Sequence, residues 1–100
     1  MKIMNEEESF REKQEYISSL VENVGNDPLY LDGWEGGLIG WNRDDNGDVQ
    51  AVYSEELMLD YWTRANDSTI EDATEFYEYN TVRSLPYVDS RNRPIIIHTV

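Results

Sequence analysis

The chain contains no cysteine, which excludes disulfides and thiolate chemistry and leaves the redox compartment unread. Histidine is nearly absent too. His98 stands alone, so a two-histidine metal motif is excluded and any catalytic triad would rest wholly on it. Basic residues are scarce: eight against 21 acids, for a net charge of −13. Direct binding to nucleic acid needs a basic footprint, and this chain has the reverse. No run is long or apolar enough for a membrane span, and the opening "MKIMNEEESF" does not read as a signal peptide. "GWEGGLIG" lacks both the spacing and the lysine of a phosphate-binding loop. A cytoplasmic protein with no cofactor, no metal and no catalytic residues is the expectation.

What remains is ample for one folded domain. The 100 residues are 39% hydrophobic and include three Trp and seven Tyr, enough apolar material for a core despite the charge. A helix is expected over about 6–24. Asn5 is placed to cap it, Glu8 follows as in a capping box, and Phe10, Ile17, Val21 and Val24 form one stripe beside Leu20. Gly25 suits the left-handed residue that ends helices, and Pro28 blocks continuation. Leu38, Ile39 and Trp41 read as a short strand. Asn46-Gly47 signals a two-residue hairpin, and Val49, Ala51 and Tyr53 alternate as a second strand requires.

Ser54 caps a second helix whose Leu57, Met58, Tyr61, Trp62 and Ala65 share one face. Asn66-Asp67 breaks it. Ser68 or Thr69 then starts a third helix, with Ala73, Phe76, Tyr77 and Asn80 on one side and mainly acids on the other. Pro86 ends that segment, "DSRNRP" is a loop and "IIIHTV" is a last strand. The order α-β-β-α-α-β describes an α+β domain, a small antiparallel sheet of about three strands packed with three helices.

Several groupings invite a chemical reading. Glu71, Glu75 and Glu78 lie at helical neighbour spacing, close enough to share a proton or a cation; a solvated helix face accounts for them better. Asp44, Asn46, Asp48 and Glu55 fall at positions one, three, five and twelve of a calcium-loop register, but the sixth position is Val49 and not glycine, and the flanks read as strands. A metal-dependent hydrolase or nuclease on Asp44, Asp48 and Glu55 is the weakest reading. His98 is expected as a packed or edge residue of the last strand, on the face of Ile96 and Val100.

Charge is distributed unevenly. Residues 55–80 hold eight acids against Arg64 alone, a net of −7, whereas Arg83, Arg91 and Arg93 share the last eighteen residues with Asp89 as the only acid. The candidate partner surface is therefore acidic: Glu55, Glu56 and Asp60 from the second helix, and Glu71, Asp72, Glu75 and Glu78 from the third. Trp34, Trp41 and Tyr87 lie in or near loops and form a candidate aromatic interface.

Taken in order, "LDGWEGGLIGW", "VQAVYSEELML", "EDATEFYEYNTVRSLPY" and "RPIII" resemble a widespread family of small uncharacterised proteins of tailed bacteriophages and prophages. The likeness spans about residues 30 to 98. It implies a phage origin, action in the cytoplasm of an infected bacterium and the same α+β arrangement; it carries no assigned activity. "VRSLPYV" departs from the commoner form of that region. The expected function is non-enzymatic binding to a host or phage protein, with no direct contact to nucleic acid or membrane. A DNA mimic that occupies a nucleic-acid enzyme is the first alternative, and a homo-oligomeric structural or assembly protein is the second.

Overall fold

The computed structural model describes residues 6–22 and 25–98, with side chains from residue 8 onward. Asn5, Val24 and the side chains of Glu6 and Glu7, all drawn into the expected first helix, lie outside the described residues, as does Val100. Helix α1 runs Glu6–Val21 against an expected 6–24, and Gly25, at φ +86°, donates its N–H to the Val21 carbonyl at 3.1 Å. Strands β1 (Leu38–Arg43) and β2 (Val49–Ser54) follow, then helices α2 (Glu55–Ala65) and α3 (Ile70–Phe76), and finally strand β3 (Ile95–Ile97). This is the α+β order that the sequence implies.

Three features of the sheet depart from a simple reading. Only the β1–β2 pair is antiparallel; β3 lies parallel to β2, with Ile96 opposite Tyr53, so the sheet is mixed and not wholly antiparallel. A parallel neighbour needs a crossover of a dozen residues or more, and residues 55–94 supply it through α2 and α3. The hairpin has a three-residue loop, because Asp44 and Asp48 pair and only Gly47, at φ +87°, takes the left-handed conformation. The Asp44 carboxylate braces that loop by accepting the N–H groups of Asn46 and Asp48. Finally, β1 is bulged between Leu38 and Gly40. The extra residue returns Trp41 to the face of Ala51, toward α1.

The core gathers between this sheet and the helices. It comprises Ile17, Trp34, Leu38, Val49, Ala51, Tyr53, Met58 and Tyr77. Strand β2 is buried along its whole length as the central strand. Met58 of α2 sits directly on the backbone of Gly37, where a Cβ would meet the Met58 Cγ at 2.2 Å; glycine is required there for close approach. Helix α2 is capped by Ser54, whose hydroxyl accepts the Leu57 N–H at 3.3 Å, and α3 by Thr69, which accepts the Asp72 N–H at 3.2 Å.

Beyond Phe76 the third helix widens into a π turn over Tyr77–Val82. Ala73, Tyr77 and Thr81 are all buried. A spacing of four residues drifts around an α-helix, whereas the wider π turn, with its i→i+5 bonding, keeps such positions in line with the core.

Candidate interaction surface

The acidic face is built from two capped helices. Ser54 and Thr69 fix where α2 and α3 begin. Helix α2 buries Met58 and half-buries Tyr61 and Trp62. That stripe leaves Leu57 45% exposed, although its spacing places it on the dry face. On α3, Ile70 opens the helix and is 50% exposed, although its spacing from the buried Ala73 and Tyr77 places it on their face.

Leu57 and Ile70 meet the acids here. One shallow hollow is lined by Glu56, Leu57, Asp60, Thr63 and Ile70, and the adjoining one by Ile70, Glu71, Thr74, Glu75 and Glu78. Ile70 is common to both, so the two helices present one surface with an apolar seam between carboxylates. The hydroxyls on it are turned inward: Thr63 donates to the Leu59 carbonyl at 2.7 Å and Thr74 to the Ile70 carbonyl at 2.8 Å. Asp60 pairs with Arg64 at 3.0 Å, a solvent-exposed i,i+4 contact. Glu71, Glu75 and Glu78 make no hydrogen bond or ion pair among the described residues.

Two of the acids expected on this face stand apart from it. Glu55, in the first turn of α2, is held by His98, whose Nδ1 lies 2.7 Å from its Oε2, and it lies beside the Tyr77 hydroxyl. Asp72 is exposed in the first turn of α3 but lines neither hollow. The calcium register is also taken apart. Asp44 is spent on the hairpin loop and on Gln50 Nε2, and Asp48 on Arg91 at 3.3 Å, while Glu55 sits with His98.

The aromatic interface needs a correction. Trp34 is 2% exposed. It stacks on Trp62 at 6.2 Å, meets Tyr77 edge-on at 5.6 Å, and donates its indole N–H to Thr81 Oγ1 at 3.0 Å. The glycines around it signalled a loop, but a small domain needs its largest side chain at the centre of its core. Trp41 is 40% exposed, near Tyr16 and beneath the Arg43 guanidinium, and Tyr87 is 91% exposed. These two do not share a hollow: Trp41 lines a cleft between α1 and β1, whereas Tyr87 ends a 3-10 turn after the π turn.

Three tyrosines are shifted by their surroundings. Burial pushes the Tyr53, Tyr77 and Tyr30 phenols above the ordinary range, and Glu55 reinforces the effect at Tyr77.

The whole is a small α+β domain with a mixed sheet and an acidic two-helix face. No family model, curated protein or solved structure matches the chain. Among the described residues no helix is long and apolar enough to cross a membrane.

Proposed function

We propose that this chain is a phage-type protein that acts without catalysis, by binding a host or phage protein through the α2–α3 face. The observation that carries this reading is the seam of exposed Leu57 and Ile70 flanked by Glu56 and Asp60 on one helix and by Glu71, Glu75 and Glu78 on the other. Carboxylates steer a basic partner and set its orientation. An apolar seam adds contact area that survives salt. A mimic of the DNA backbone would need only the charges, so the seam favours a protein surface with basic and apolar groups together. The phage origin and the action within an infected cell rest on the sequence resemblance.

The test is affinity capture from lysates of infected and uninfected bacteria, with wild type beside two variants. One neutralises the rim (E56Q, D60N, E71Q, E75Q, E78Q) and the other makes the seam polar (L57S, I70S). A protein retained by wild type and lost from both variants is the expected result. Capture lost only from the rim variant, and competed away by duplex DNA, would replace this reading with the mimic. Identical capture by all three chains would remove the α2–α3 face from consideration.

A further inference from the structure

A second feature stands apart from the acidic face and does not depend on it. Where the π turn faces the segment before β1, a pocket of about 220 Å³ opens, with Tyr30, Asp32, Trp34, Phe76, Asn80 and Ser84 in its lining. From this lining we propose that the pocket binds a small organic cation, an ammonium or guanidinium headgroup.

Ser84 spends its hydroxyl hydrogen within the π turn, its Oγ lying 2.9 Å from the carbonyls of both Asn80 and Thr81. Asn80 directs its Nδ2 to the Phe76 carbonyl at 3.2 Å, which leaves its Oδ1 as an acceptor. Thr81 Oγ1 already accepts the Trp34 indole N–H. Asp32 is exposed and its carboxylate has no hydrogen bond or ion pair among the described residues. The pocket thus offers one uncommitted negative charge and an amide oxygen beside the Tyr30 hydroxyl, a buried group with no hydrogen-bond partner among the described residues.

The walls agree with that chemistry. Tyr30 and the 41% exposed Phe76 are aromatic walls, and the buried Trp34 closes the floor with its ring 5.9 Å from that of Phe76. Aromatic faces attract cations, most strongly where water is partly excluded. No lining residue is basic, so no side chain of the lining already fills that role. An anion would find an unpaired carboxylate and no basic side chain to offset it. The volume is below that of ordinary drug-sized sites, which suits a headgroup and its first methylenes.

The headgroup has two sources: a free amine, or a lysine or arginine side chain of another protein. Titration of the 15N-labelled chain distinguishes them, with tetramethylammonium chloride and the tripeptide Gly-Arg-Gly as probes and sodium chloride at matched ionic strength as control. Saturable shifts at the Trp34 indole N–H and the Asn80 and Thr81 amides, absent with sodium chloride, are expected. Asp32→Asn should weaken binding about tenfold, equivalent to roughly 1.4 kcal/mol. Phe76→Leu, which leaves the charge in place, should weaken it by a smaller factor. Tighter binding of the tripeptide would assign the site to a side chain, and tighter binding of tetramethylammonium to a free amine. Shifts equal to those with sodium chloride, or unchanged in both folded variants, would overturn the proposal.

Discussion

Tyr53 has no exposed surface, and its hydroxyl accepts the Leu31 N–H at 2.9 Å. Tyr77 is 3% exposed and has Glu55 beside it. Ionising either phenol would place a negative charge in the core, so burial raises both values above that of a free tyrosine. The folded chain then holds these protons more tightly than the unfolded chain, whose tyrosines titrate near about pH 10. The sign of the linkage follows. The stabilisation is complete below that pH and is lost as the pH rises above it toward the folded-state values, by up to about 1.4 kcal/mol per pH unit for each such group. Urea midpoints measured at increasing alkaline pH should therefore fall, and Tyr53→Phe and Tyr77→Phe should each flatten that fall. An equal slope in all three chains would mean that the buried phenols are not what couples stability to alkaline pH.

Among the elements, the segment from Gly25 into β1 has no regular structure before its 3-10 turn, yet Asn26 within it acts as a piece of sheet. Its side-chain amide donates to the Val49 carbonyl at 2.7 Å and accepts the Val49 N–H at 3.1 Å. Strand β3 reaches only Val52, so Asn26 completes the edge of β2 that β3 leaves bare. Asn26→Ala would strand a buried donor and a buried acceptor together, with an expected loss of about 2–4 kcal/mol. Chemical denaturation checks this, and a loss under about 0.5 kcal/mol, the level of an ordinary surface change, would show that water replaces the amide. None of it is legible in "NDP", which reads only as a turn. What local chemistry decides was legible: the caps Ser54 and Thr69, the stop at Gly25, the turn at Gly47, and the α+β order. What distant partners decide was not. The direction of β3 depends on the path of the crossover, and the π turn on the need to keep Tyr77 and Thr81 facing Trp34. The acids of the candidate face could be found by helical spacing. Leu57 could not, because the same spacing assigns it to the core, and only the fit of Met58 against Gly37 shows which way α2 is turned.

At the scale of the whole molecule, a net charge of −13 acts on folding and on binding with opposite signs. Within the fold the acids repel one another, most of all along α2 and α3, where few bases offset them. Raising salt from about 0.01 M to about 0.1 M shortens the Debye length from about 30 Å to about 10 Å, which relieves that repulsion. The melting temperature should therefore rise with salt, and E71Q/E75Q should melt higher than wild type at low salt and lose that advantage at high salt. Binding to a basic partner should weaken over the same range, because the carboxylates that repel one another are those that attract it. The seam then decides how far binding falls. If Leu57 and Ile70 are covered by the partner, a salt-resistant remainder persists and disappears in L57S/I70S. A partner held by carboxylates alone would show a steep, linear fall of log affinity with log salt, as for contacts to phosphates. Paired salt series on one preparation, melting and binding together, separate the two cases. A melting temperature that falls with salt would mean that the acids stabilise the free fold through ion pairs, and the charge would then need no partner to explain it.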